Sequence, residues 1–214
     1  MSNMDNKHEN IIEKLCQDLE PAQKCRNPVY CAMTWFFMGL FSVLIVGSLM
    51  SFRHDLAVKI SEPVFMIEMV LILSLSFSAA LASAFLRVPD GGEHKIVLVL
   101  TYILFAIVAV FVGRELFLHD AIWPSLTLSQ CMLDAVLTGV FPVVFMMLMM
   151  RGQKTTRPVL CGFLNALAAG AIGYFGLRLT CGSDAASHVC FYHIIPFVLL
   201  GIVIGVLARR LYRW

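Results

Sequence analysis

The chain has 214 residues, of which 59% are hydrophobic and only 14% charged, with a formal net charge of +2. A soluble domain carries about a quarter charged residues and under half apolar ones, so this excess cannot be hidden in a single core. The near-neutral balance, with cations scattered in short clusters, argues against direct nucleic-acid binding.

In the tail, Ile11, Ile12, Leu15 and Leu19 fall on one helical face, while Glu9, Glu13, Lys14, Asp18 and Glu20 cover the rest and Pro21 stops the helix. A lone helix of about ten residues is marginal in water, so this face needs a membrane surface or a partner's groove. Its acidic cover disfavours anionic headgroups and favours a protein partner. A structureless leader is the plainer alternative. No cleavable signal peptide is expected, because the first apolar block starts about 30 residues in and is too long for one.

Six apolar blocks follow, at about 32–51, 64–86, 96–113, 131–150, 158–177 and 191–208, each near the roughly 20 residues that cross a bilayer as a helix. None holds Lys or Arg in its interior. Polar or Gly/Pro punctuation separates them, as in Arg53-His54-Asp55 and Val88-Pro89-Asp90-Gly91-Gly92. The fold class expected is therefore an all-α membrane protein, a six-transmembrane-helix bundle with a short cytoplasmic N-terminal amphipathic helix. Lys and Arg divide 12 to 4 between the two sides, with the tail, loops two and four and the C-terminus on the rich side. The positive-inside rule then puts both termini in the cytoplasm and loops one, three and five outside. Gly201-x-x-x-Gly205 and the run Gly170, Gly173, Gly176 suit close helix packing.

Glu68 in the second block and Asp134 near the outer end of the fourth are the acidic residues inside expected spans. An unpaired charge there costs at least a few kcal/mol, and the sequence shows no obvious partner for either, which keeps an ion pathway open as a reading. Of seven cysteines, Cys16, Cys25, Cys31 and Cys161 fall toward the cytoplasm, whereas Cys131, Cys181 and Cys190 fall at or beyond outer span ends. His188 and His193 flank Cys190, and His119 with Asp120 sits in loop three. Three readings of the outer thiols stand open: a disulfide or redox pair, a site for zinc, copper or cadmium, or isolated structural thiols. Their spacings match no closed zinc signature. Trp35, Trp123, Tyr192, Tyr212 and Trp214 are expected in the interfacial aromatic belts. No nucleophile elbow, phosphate loop or zinc-protease helix is present, so the chain reads as a non-enzyme without a cofactor.

Taken together, the tail pattern Ile11-Ile12-x-x-Leu15-x-x-Asp18-Leu19-x-Pro21, the six spans, Cys131 opening the fourth, and the stretch from Cys181 through His193 to Arg209-Arg210-Leu211-Tyr212-Arg213-Trp214 resemble the NrsF-like family of six-span anti-sigma factors. The resemblance implies a multi-pass protein of the bacterial inner membrane that negatively regulates an extracytoplasmic-function sigma factor. It implies that residues 1–30 hold that sigma factor through Ile11, Ile12, Leu15, Asp18 and Leu19. Residues 31–214 would form the transmembrane domain, and Cys131 and Cys181 would receive a redox or heavy-metal signal that releases the partner. Cys190, His188 and His193 are additional candidates for sensing, with the metal unspecified. Gly182 stands where many relatives have Pro, and Cys190 is a thiol beyond the family pattern. A small ion or solute transporter and a membrane scaffold are the alternatives.

Overall fold

The computed structural model describes residues 27–88, 94–118, 130–149 and 155–211. These are helical, with no strand among them, and six helices are long and apolar enough to cross a membrane. The long helices are α1 (Pro28–Met50), α3 (Pro63–Phe85), α4 (His94–Leu118), α5 (Gln130–Met149) and α6 (Pro158–Thr180). The sixth rod runs through a short α7 (Ala186–His188), a π-helical stretch (Val189–Ile194) and α8 (Ile195–Leu211). A one-and-a-half-turn helix α2 (Leu56–Ser61), not anticipated from the sequence, lies between the first two long helices.

Proline sets three of the starts. Pro28, Pro63 and Pro158 open α1, α3 and α6, where a missing N–H forfeits no helical hydrogen bond. Before α1, Asn27 Oδ1 accepts from the backbone N–H groups of Val29 (2.9 Å) and Tyr30 (3.4 Å), capping the otherwise unpaired donors. The helices overrun several sequence limits. Hydropathy ends a span near its first charge, but the backbone continues helically past Arg114 in α4 and takes Arg178 into the last turn of α6. Both arginines thus stand at helix ends, leaving the span interiors free of Lys and Arg among the described residues.

Helix α6 is the axis of the bundle, packed against α1, α3, α5 and α8. Its buried surface is rich in small residues: Gly162, Ala166 and Gly173 lie against α8, Gly176 lies against Val43 of α1 and Thr138 of α5, and the side bearing Cys161, Asn165 and Ala168 meets Ser76 and Ser83 of α3. Without bulky side chains between them, the backbones approach closely. At Gly162 the approach is absolute: a β-carbon there would lie 2.5 Å from the Ala208 methyl of α8. Gly205, by contrast, faces open space, so the Gly201-x-x-x-Gly205 pattern is not the seam it suggested.

The periphery is apolar. Leu49, Ile96, Val110 and Val206 are each more than 70% exposed, and α4 is attached chiefly through α3. Such a surface suits hydrocarbon as solvent. Trp35 and Tyr192 do not belong to an interfacial belt. Both are buried, and Trp35 Nε1 donates to the Pro142 carbonyl of α5 at 3.2 Å. A buried indole needs an acceptor for its N–H, and the Pro142 carbonyl inside α5 provides one. Trp123, Tyr212 and Trp214 lie outside the described residues.

Candidate sensing site

Up-and-down packing sorts the functional side chains to one end. Cys131 opens α5 and Cys181 immediately follows α6, its N–H closing that helix on the Leu177 carbonyl at 2.8 Å. The two sulfurs, fifty residues apart in sequence, are 3.3 Å apart, longer than the about 2.05 Å of a disulfide, so the thiols touch without being bonded. Cys181 Sγ is also 3.3 Å from His188 Nε2.

His193 completes the group, and the backbone explains how. In an α-helix, residues five apart sit on different faces. A π-helix closes i to i+5 hydrogen bonds, and here the Ile195 N–H reaches the Cys190 carbonyl. The wider turn brings His188 and His193 onto one side, with ring centroids 5.5 Å apart. Pro196, which has no N–H to return to the preceding turn, follows directly and favours such a local irregularity. Ligand atoms of Cys131, Cys181, His188 and His193 all lie within 4.8 Å of one another. His193 is fully buried, and neither of its ring nitrogens has a hydrogen-bond partner. Cys190 sits within the π-helical stretch but outside this group.

Beside the thiols lies a charge lattice that sequence reasoning missed. Glu68, for which the sequence shows no obvious partner, accepts both Arg178 Nε at 2.9 Å and Arg178 Nη2 at 3.1 Å, and the Tyr174 hydroxyl donates to the same carboxylate. Arg178 continues to Asp184 (2.8 Å), which also receives Arg53 (3.0 Å) and Lys59 (3.1 Å). Arg53 further clasps Asp55 through Nε at 2.7 Å, and its backbone N–H bonds the Leu179 carbonyl at 3.0 Å. The Phe65 ring lies 5.2 Å from the Arg178 guanidinium and 6.0 Å from that of Arg53. The Arg53 hydrogen bond, joined by those of Arg178 and Lys59, holds the Asp184 carboxyl well below the usual carboxylate range. Cys181 and Asp184 share one extended segment, so this lattice and the thiol–imidazole group are covalently neighbours.

Asp134, one turn beyond Cys131, keeps a buried Oδ1 without a hydrogen bond. A cavity of about 400 Å³ opens beside the charge lattice, lined by Phe65, Glu68, Phe111, Tyr174, Arg178 and Val189. Its charged walls are already paired to one another. The tail residues Ile11, Ile12, Leu15, Asp18 and Leu19 lie outside the described residues, as do Cys16, Cys25, His119 and Asp120.

Residues 15–214 match the family model described as negative regulator of sigma F, which takes in every long helix and all four clustered ligands. The chain belongs to the NrsF family. The anti-sigma-F factor NrsF of Caulobacter vibrioides is 23% identical over 216 residues, covering 96% of this chain and 99% of that protein. No solved structure matches. NrsF membership makes the chain a negative regulator of a sigma factor, a regulatory role in keeping with the lack of a catalytic signature. The matched region begins within the tail, including Leu15, Asp18 and Leu19 but not Ile11 and Ile12.

Proposed function

We propose that this NrsF-family chain is a six-span inner-membrane anti-sigma factor that holds an extracytoplasmic-function sigma factor on residues 1–30. The partner is released when chemistry at the outward-facing Cys131–Cys181 pair repositions the helices. The observation that carries this reading is the 3.3 Å contact of the two sulfurs, which couples the start of α5 to the end of α6 within a chain of this family. Oxidation or metal ligation draws sulfurs closer or spreads them, and either event pulls on both helices together. The unequal distribution of Lys and Arg favours a cytoplasmic tail and outward thiols. Asn27, where the tail enters α1, lies at the end of the bundle opposite the thiols, so a signal must pass along the helices. A signal moves such an equilibrium only through unequal affinity for the two arrangements. The full bonding of Glu68 removes the main support for an ion pathway.

The test is co-purification of the full-length chain with the sigma factor encoded beside it, before and after oxidant or heavy metal. Wild type should lose its partner on treatment, Cys131→Ser should retain it, and Ile12→Asp with Leu15→Asp should not bind at all. Retention of the sigma factor by the tail variant would refute the docking face. A reporter fused after Trp214 and found outside the cytoplasm would refute the orientation.

A further inference from the structure

We infer that Cys131, Cys181, His188 and His193 form a closed four-ligand site for a divalent ion of the zinc class, the two histidines being ligands in addition to the thiol pair. The inference deepens the function proposed above and rests on it for the site's role, while the ligation itself stands on geometry. A tetrahedral ion with sulfur at about 2.3 Å and imidazole nitrogen at about 2.0–2.1 Å sets donor separations of about 3.4–3.8 Å. Two separations here are already 3.3 Å, and no pair of ligand atoms exceeds 4.8 Å. Closing the set therefore takes side-chain shifts of about 1–1.5 Å.

A second observation points to a ligand independently of these distances. His193 is fully buried with both nitrogens unpartnered, and an unsatisfied buried polar group costs about 1–3 kcal/mol. Packing alone gives no reason to place an imidazole there against two thiols and a second imidazole. The π-helical stretch supplies the means, since it alone sets His188 and His193 on one face. Two soft sulfurs and two borderline nitrogens select zinc, cadmium or cobalt over magnesium or calcium. With four protein ligands the ion has no open coordination position, so the site staples α5, α6 and the π-helical rod at one end and does not catalyse. On binding, each thiol releases its proton to solvent as the ion takes two thiolates and two neutral imidazoles, so affinity falls as acid is added.

The experiment uses the reduced full-length chain in lipid nanodiscs. Zinc is added, and X-ray absorption at its edge counts the ligands of the unmodified protein. Two sulfurs and two nitrogens at one ion per chain are expected, and two sulfurs with oxygen ligands, or three sulfurs, would overturn the inference. Cobalt(II) then serves as an optical probe of tetrahedral thiolate ligation. His188→Ala and His193→Ala should each weaken cobalt by more than the about 10–100-fold typical of losing a group that only orients a ligand. Cys190→Ser should leave binding unchanged. Equal affinity in wild type and both histidine variants would overturn the proposal, and the absorption measurement decides it if His193→Ala does not fold. A chain that ligates zinc as expected yet keeps its sigma factor sinks the release mechanism alone.

Discussion

The two ends of the bundle are held by different physics. At the end opposite the thiols, the described residues are joined by hydrogen bonds of neutral side chains, Ser83 donating to Asn165 Oδ1 and Thr155 Oγ1 to the Leu86 carbonyl at 2.7 Å, with the Arg87 guanidinium donating through Nε to the Ser83 carbonyl at 3.2 Å. Halfway along, Ser76 Oγ donates to the Ala168 carbonyl at 2.9 Å. At the thiol end, three cations and four carboxylates interlock beside two thiols and an imidazole with no hydrogen bond. A satisfied neutral network fixes one geometry. The thiol end instead depends on charge state, sulfur chemistry and ions, each of which the surroundings can change. The same helices therefore carry an anchored end and a chemically addressable one.

The sharpest way to break that contrast is Glu68→Gln, which puts a neutral amide against the buried Arg178 guanidinium and leaves Asp184 as its one remaining carboxylate among the described residues. Unfolding in detergent should show a loss of about 3–5 kcal/mol, most of it recovered when Glu68→Leu is combined with Arg178→Met. An undiminished single variant would mean that the lattice contributes nothing. Next in size is Gly162→Val at the anchored end, where overpacking against Ala208 should cost about 1–3 kcal/mol, while Gly205→Val stays within about 0.5 kcal/mol. Equal costs would show that the seam does not run where α6 meets α8. His193→Leu in metal-free protein should raise stability by about 1–3 kcal/mol by removing unpartnered nitrogens. A lowered midpoint would erase the distinction between the ends.

The smallest effect expected is a pH dependence. Asp184 has its folded pKa depressed, chiefly by Arg53, so its stabilisation is present above the unfolded value of about 3.9 and is lost as pH falls through the folded one. Hydrogen exchange of the 53–61 backbone should accelerate across that acid range in wild type, and Asp184→Asn should flatten the profile.

The six long apolar helices were legible because blocks near twenty residues long stand out whatever their packing, whereas the short α2 has no such signal. The charge lattice was not, since Glu68 and Arg178 are 110 positions apart and Arg178 read as a loop residue. The pairing of His188 with His193 was equally hidden, because a five-residue spacing becomes a shared face only in a π-helical turn. Nearness of Cys131 to Cys181 followed from family resemblance, and spacing alone left three thiols to choose among. Trp35 was misread because its position near a span end says nothing about which way it faces.

That tryptophan has a practical consequence. The chain contains three, and Trp35 ties α1, whose N-terminal end follows the tail, to Pro142 in α5, the helix that carries Cys131 near its start. With Trp123 and Trp214 replaced by Phe, its fluorescence becomes a label-free gauge of the joint through which an event at the sulfurs would travel to the opposite face.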